Sequence, residues 1–235
     1  MTAFILSYRR ERSLLLTGLS LLLVAIYVDH QADTPVLSPY GPEYTGREIN
    51  PLDRYLGYTV PNRRAGALAD AGLYGGPTLP LLLSFHPRTR PNYPTVLLLW
   101  LQTMLLTFAL TSLLKNTVSR PRPYVYHAHW QLDRPLTRKD RAAFLSGHAA
   151  NATAGAVLFA ELLRHYRIRG AFWGRLLAVG VAGGTAFLRV KAGKHWPTDA
   201  IAGITLGGGV AGGILRLHRP KAGGKQTIPR LEPLS

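Results

Sequence analysis

Thr95-Val-Leu-Leu-Leu-Trp-Leu-Gln-Thr-Met-Leu-Leu-Thr-Phe-Ala-Leu-Thr-Ser-Leu-Leu114 is the stretch that decides the fold. These 20 residues hold no charge. A helix needs roughly 20 apolar residues to cross a hydrocarbon core of about 30 Å. The stretch therefore reads as a membrane helix, and the rest of the chain is read around it.

Five further segments join it. Leu14–Val28 is apolar and follows Arg9, Arg10 and Arg12. A cleaved leader would show a small-x-small site after the apolar run. Ile26-Tyr27-Val28-Asp29 stands there instead, so the segment reads as a first membrane helix. Ala65–Phe85 is weaker, with Asp70, Gly75, Gly76, Pro77 and Pro80, and reads as a kinked or broken span. His148–Leu163 is Ala-rich and shorter, Ala171–Leu188 carries Arg175, and Ile201–Leu215 is rich in Gly and Ala. The pairs Gly180/Gly184, Gly203/Gly207 and Gly209/Gly213 predict close helix approach. Between the first two segments, Asp29–Arg64 is polar with five prolines and reads as a loop bearing at most a short surface helix.

The expectation is thus an all-α bundle of six transmembrane helices. It forms a single domain over residues 1–235, with a catalytic core at about 95–215 and a basic, fraying tail at 217–235. With six spans both termini share a side. Lys and Arg divide equally between the two sides. The connections His86–Pro94 and Arg164–Arg175 are short and carry no acid, which places the termini in the cytoplasm.

Composition agrees. Charged residues make up 17% of the 235 residues and hydrophobic residues 47%, against roughly 25% charged in an ordinary soluble domain. That apolar content excludes disorder for most of the chain. With no cysteine, there is no disulfide, thiolate metal site or cysteine nucleophile. The formal net charge is +16. Such a balance suits nucleic acid, anionic lipid or phosphorylated substrates. Here the cations lie in the gaps between apolar runs, which favours lipid headgroups or phosphate esters over nucleic acid.

Three polar clusters stand at one end of the helices. The first is Lys115-Asn-Thr-Val-Ser-Arg-Pro-Arg122-Pro123, the second Leu145-Ser146-Gly147-His148, and the third Leu188-Arg189-Val-Lys-Ala-Gly-Lys-His195-Trp-Pro-Thr-Asp199. Lys115, Arg122 and Arg189 are cations beside apolar segments, where charge is expensive and usually functional. Together they suit a dianionic phosphate, with arginine adding bidentate geometry. Ser146 and the Gly147 amide open a helix, where orphan N–H groups favour an anion. His148 is a candidate proton donor. His195 and Asp199 are four residues apart, on one face if the helix begins there. A carboxylate on one imidazole nitrogen leaves the other free to attack. Taken singly, each feature has a bland explanation: a snorkelling anchor, a helix cap, a structural pair. Their joint occurrence at matching helix ends is what points to phosphoryl transfer.

These motifs resemble the signature of the type 2 phosphatidic acid phosphatase superfamily, which is Lys-x6-Arg-Pro, Pro-Ser-Gly-His and Ser-Arg-x5-His-x3-Asp. Lys115 to Pro123 fits the first. Ser146-Gly147-His148 fits the second, with Leu145 where proline is common. Arg189, His195 and Asp199 fit the third, with Leu188 where serine is usual. The resemblance covers Thr95–Leu215. It implies a membrane lipid phosphatase acting on lipid phosphate monoesters or isoprenyl diphosphates without cofactor or metal. It implies His195 as nucleophile, Asp199 holding it, and His148 as acid. Lys115, Arg122, Ser146, Gly147 and Arg189 would bind the phosphoryl oxygens. The implied partners are a phosphorylated lipid and the bilayer, in the inner membrane, with the site on the extracytoplasmic side. A vanadate-dependent haloperoxidase shares this oxyanion pocket, and a non-catalytic lipid-binding protein could share the fold. Oligomeric state is not readable.

Other residues stay open at this stage. His127-x-His129, near Trp130, reads as a metal site or an interfacial aromatic cluster. Arg120, Arg134, Arg138, Lys139 and Arg141 either gather anionic headgroups or are simply solvated. Lys191 and Lys194 could touch phosphate from the rim. Asp70 pairs with a basic residue or faces a polar gap, and Asn151 stands one turn after His148.

Overall fold

A computed structural model describes residues 4–31, 49–57, 61–126 and 136–219. His127, His129, Trp130 and Arg134 lie outside them, as does the tail beyond Arg219. The described residues form α1 (Tyr8–Gln31), α2 (Pro51–Gly57), α3 (Arg63–Leu82), α4 (Tyr93–Thr117), α5 (Gly147–His165), α6 (Ala171–Lys191) and α7 (Pro197–His218). Six of these are long, one on each expected segment. The seventh, α2, is a single short helix within the polar stretch before α3.

Four of the helices, α1, α4 (with the turn before it), α6 and α7, are long and apolar enough to cross a membrane. Their outward faces carry Leu19, Leu23, Ile26, Phe108, Trp173, Val179 and Ile201, all exposed. Apolar surface on that scale belongs in hydrocarbon rather than water. The count of six spans is not reached on composition, for two physical reasons. The α5 helix is Ala-rich and enclosed by α3, α4, α6 and α7, so it presents little lipid-facing surface. The α3 helix carries Asp70, four glycines and two internal prolines. It is nevertheless continuous, and ends in a 3-10 turn at Leu83–Phe85. The Trp100 indole of α4 donates to the Pro77 carbonyl at 2.7 Å.

The α5 helix is the axle. Its small residues let α7 approach backbone to backbone: a Cβ on Gly203 would lie 2.5 Å from the Ser146 carbonyl oxygen, and one on Gly207 2.1 Å from that of Ala150. Gly180, Gly184, Gly209 and Gly213 meet nothing within 4 Å among the described residues. Of the three predicted glycine pairs, only Gly203/Gly207 seats a neighbouring helix. The other two have no neighbour at that distance among the described residues.

Candidate active site

The three motif loops meet at one end of the bundle and are stitched together by their backbones. The Ala143 amide donates to the Arg120 carbonyl at 3.0 Å, and the Arg122 amide to the Asp140 carbonyl at 2.9 Å. The Tyr124 amide donates to Gly193 at 3.2 Å, and the Ser146 amide to Asp199 at 3.0 Å. The Trp196 indole closes the ring by donating to the Pro121 carbonyl at 2.9 Å. Each loop therefore holds another in register, which is what a site assembled from three distant sequence segments requires.

Ser146 is the N-cap of α5, its hydroxyl oxygen accepting from the Ala149 amide at 3.4 Å. Gly147 follows, where a Cβ would lie 3.1 Å from Thr111 Cγ2 and 3.4 Å from the Lys115 ammonium. The absent side chain lets the Lys115 head stand against the start of α5. Asn151 donates back to the Gly147 carbonyl at 2.9 Å, so it braces that turn.

His195 is fully buried in the loop between α6 and α7. Its Nδ1 lies 2.7 Å from the Ala143 carbonyl oxygen. A carbonyl can only accept, so Nδ1 carries the proton and Nε2 carries the lone pair. Nε2 is buried and has no hydrogen-bond partner among the described residues. The ring's pKa is held well below its ordinary value of 6.5, by burial first and then by Lys115, Arg189 and Arg122. The site thus holds a neutral imidazole with a free lone pair in a field of cations. The Nε atoms of Arg122 and Arg189 are likewise buried without partners among the described residues.

Asp199 departs from the expected pairing. Its Oδ2 stands 3.9 Å from His195 Nδ1, too far for a hydrogen bond. The carboxylate is engaged elsewhere. Oδ2 accepts from the Trp196 amide at 2.8 Å, and Oδ1 pairs with the Arg120 guanidinium. The backbone carbonyl of Ala143 takes the place at Nδ1 that the motif spacing suggests for Asp199.

Arg120 is therefore neither solvated nor a headgroup collector. It bridges Asp199 to Asp53, whose Oδ2 it meets at 2.5 Å. Asp53 is fully buried on α2. It accepts from the Thr198 amide at 2.9 Å and from the Thr198 hydroxyl at 2.6 Å. Burial opposes its charged form, yet the bonds from Thr198, Arg120 and Asn50 outweigh that and lower its pKa below 3.8. The short α2 helix thereby clamps the first turn of α7.

On the other flank, Asp70 of α3 meets His148 Nε2 at 2.8 Å and Arg189 at 3.6 Å. Of the two readings open for Asp70, pairing with a basic residue is the one observed. Beside it opens a pocket of about 360 Å³ lined by Asn62, Arg63, Asp70, Tyr124, Arg189 and Lys194, among others. The Lys194 ammonium lies 5.1 Å from the centre of the Tyr124 ring. Its pKa is lowered by burial and then by Arg122 and Arg189, so it shares the electrostatic field of those two cations. Lys191 stands apart, over the exposed Phe187 ring. Arg138 pairs with Asp29 at 2.8 Å.

A family model described as the PAP2 superfamily matches residues 96–222. The chain belongs to the PAP2 superfamily. Two proteins named Lipid A 1-phosphatase are similar to this PAP2 chain. The one from Rhizobium etli is 32% identical over 108 residues, covering 45% of this chain and 43% of that protein. The one from Rhizobium johnstonii is 31% identical over 107 residues, covering 45% of this chain and 41% of that protein. The chain thus matches less than half the length of these curated relatives. No solved structure gives a significant match.

All eight motif residues, Lys115, Arg122, Ser146, Gly147, His148, Arg189, His195 and Asp199, fall within the PAP2 match, and so does Arg120. Asp53 and Asp70 precede it. The sequence marks Asp53 only as an acid three residues after the Asn50-Pro51 helix start. Nothing local reveals that its partners are 67 and 145 residues away. Asp70 is more visible, as a lone acid in an apolar segment.

Proposed function

We propose that the protein is a membrane phosphatase that hydrolyses lipid phosphate monoesters or isoprenyl diphosphates through a phosphohistidine at His195. The observation that carries this reading is His195 itself, a buried neutral imidazole fixed at Nδ1 and unpartnered at Nε2. The PAP2 membership and the names of the two relatives support phosphorylated lipid as the substrate class. The four apolar helices support a bilayer setting. In this reading α3 and α5 complete six spans, the termini are cytoplasmic, and the site faces the extracytoplasmic side of the inner membrane.

The chemistry follows from the placement of groups. Lys115, Arg122 and Arg189, with Ser146 and the Gly147 amide, hold the phosphoryl oxygens and offset their charge. The Nε2 lone pair attacks phosphorus as the bond to the lipid oxygen breaks, and that oxygen takes a proton from His148. Asp70 holds the His148 ring. Water then attacks phosphorus, the P–N bond returns its electron pair to Nε2, and His148 receives the water proton. Positioning and charge stabilisation supply most of the acceleration in such transfers.

The test is phosphate release by purified protein in detergent, with EDTA present. The panel would hold phosphatidic acid, phosphatidylglycerol phosphate, a prenyl diphosphate and a phosphorylated lipid A, with His195→Ala run beside the wild type. Release that survives EDTA and disappears in the variant is expected. Equal release by folded His195→Ala would overturn the reading.

A further inference from the structure

The short helix α2 precedes residues 96–222, which match the family, yet it and the residue just before it rest on the two loops that hold His195. Ile49 is buried against Ala143 and Trp196. A Cβ on Gly57 would lie 2.8 Å from Trp196 Cε3 and 2.8 Å from Pro197 Cδ, so the end of α2 lies flat on the turn into α7. Between them Asp53 is fully buried, while Leu52, Tyr55 and Leu56 are exposed. A surface helix ordinarily buries its leucines and shows its acid. The reversal here marks Asp53 as the side chain that fastens α2 to the site.

Asp53 is heavily engaged. Oδ1 accepts from the Thr198 amide at 2.9 Å. Oδ2 accepts from the Thr198 hydroxyl at 2.6 Å, from Arg120 at 2.5 Å and from the Asn50 amide at 2.5 Å. Asn50 Oδ1 accepts from the Asp53 amide at 3.0 Å and so caps the helix that carries the acid. Two routes lead from this carboxylate to the His195 ring. Through Thr198 it fixes the first turn of α7, three residues after His195. Through Arg120 it reaches Asp199 and the Trp196 ring, whose centre lies 5.8 Å from the guanidinium carbon. The Arg120 carbonyl accepts from the Ala143 amide at 3.0 Å, and the Ala143 carbonyl stands 2.7 Å from His195 Nδ1. None of these bonds goes to Lys115, Arg122 or Arg189.

Resting on the phosphatase reading above, we propose that Asp53 is a positioning residue for the nucleophile: through Arg120 and Thr198 it fixes the Nδ1 side of His195, and with it the direction of the Nε2 lone pair, without touching the substrate. A misplacement of about 1 Å at an attacking atom can cost on the order of 10²-fold in rate. The effect of Asp53 therefore falls on turnover and not on phosphate binding.

The experiment uses the full chain in detergent, with whichever of phosphatidic acid, a prenyl diphosphate and a phosphorylated lipid A wild type turns over fastest. Inorganic phosphate serves as the soluble competitor. Asp53→Asn keeps the side chain's size and an acceptor for the Thr198 amide, and removes the charge that faces Arg120. It should lower kcat per folded molecule by about tenfold, with KM and inhibition by phosphate within about twofold of wild type. The His195 Nδ1 resonance should move in ring-nitrogen NMR. Asp53→Asn combined with Arg120→Ala should be no slower than Arg120→Ala alone, because both act through one link. Should Asp53→Asn fail to fold, Thr198→Val carries the test: it removes one bond to Asp53 and should lower kcat by about threefold, and Thr198→Ser should restore it. A lower unfolding midpoint with kcat per folded molecule and the Nδ1 resonance unchanged would overturn the proposal, leaving Asp53 a structural clamp. A rise in KM with kcat unchanged would overturn it too, by moving Asp53 to the binding side. A wild type that hydrolyses none of the lipids would strike at the phosphatase reading instead, and the Nδ1 resonance of Asp53→Asn against wild type would still decide whether Asp53 places the ring.

Discussion

The two ends of the bundle each bury a histidine beside a carboxylate, and they use it in opposite ways. At the motif end stands His195. At the other end, about 30 Å away along the 22 residues of α7, stands His218. Both are fully buried. Both ring nitrogens of His218 are engaged, Nδ1 with the Ile214 carbonyl at 2.6 Å and Nε2 with Glu11 at 2.7 Å. Glu11 in turn accepts from Gln102 of α4 at 2.8 Å and from the Ser7 amide at 2.9 Å. The Ile5 amide donates to the His218 carbonyl at 2.9 Å. This cluster ties α1, α4 and α7 together and leaves the histidine no atom for chemistry. His195 has one nitrogen fixed and the other unpartnered among the described residues. Gln102 Oε1 at the other end is also buried without a partner among the described residues, but it is a neutral amide oxygen, whereas the unpaired atom of His195 is an imidazole nitrogen standing in the field of Lys115, Arg189 and Arg122.

The contrast predicts a double dissociation, which is the largest effect expected. His195→Ala should lower turnover by on the order of 10⁴ or more while leaving the unfolding midpoint within a few degrees of wild type. His218→Ala removes one of Glu11's bonds, leaving those from Arg10, Gln102 and the Ser7 amide, and empties a fully buried side-chain volume where α1 meets α7, so it should destabilise by about 2 kcal/mol, with turnover per folded molecule within about twofold of wild type. Thermal unfolding and active-site-normalised kinetics on the same preparations would read both. Loss of turnover in folded His218→Ala would break the division between the two ends.

The next effect concerns Asp199. The Ala143 carbonyl sets the His195 tautomer, so Asp199→Asn should cost about 10²-fold, well short of the loss in His195→Ala. Arg120→Ala should cost a similar factor, because it frees both Asp199 and Asp53 from the clamp on α7. If Asp199→Asn is as inactive as His195→Ala, the carboxylate and not the carbonyl governs the nucleophile. Smaller again is Gly147→Ala, whose methyl group would press on Thr111 and the Lys115 ammonium. About a tenfold fall in kcat/KM is expected, with Ser146→Ala, which keeps the space open, as its comparison.

The legibility of the chain follows the same division. The helix positions were readable because apolar runs of fixed length report on a solvent, and Thr95–Leu114 shows that with no tertiary knowledge. The α5 segment was harder, since a helix enclosed by four others needs no lipid-facing side chains and its composition says little about spanning. The motif residues were readable because their chemistry is local: Ser146 caps its own helix, and His195 and Asp199 are one turn apart. What spacing could not give was competition among partners. Asp199 sits at the separation that permits a bond to His195, yet Arg120 and the Trp196 amide take its oxygens. Asp53 reaches Thr198 across 145 residues, and Glu11 reaches His218 across 207. Contacts of that range leave no periodic trace in the sequence.

The smallest effect is a titration. The pKa of folded His195 lies well below 6.5, through burial and then Lys115, Arg189 and Arg122, whereas the unfolded chain should bind a proton there near 6.5. Below that pH the unfolded state therefore holds one more proton at this position than the folded state, and stability falls as pH falls. Between about pH 6.5 and 5.5 the contribution is about 1 kcal/mol. It should appear as a steeper loss of unfolding midpoint in wild type than in His195→Ala over that window, since the variant has no ring to protonate. Lys115→Met removes one of the cations that disfavour the imidazolium, so it should raise the His195 pKa and flatten the slope, and ring-nitrogen NMR would read the shift directly. A slope in wild type no steeper than in His195→Ala would mean that His195 is protonated in the folded protein near neutral pH. Nε2 would then carry a hydrogen instead of a lone pair, and the two ends of the bundle would no longer differ in the way that makes one of them a site.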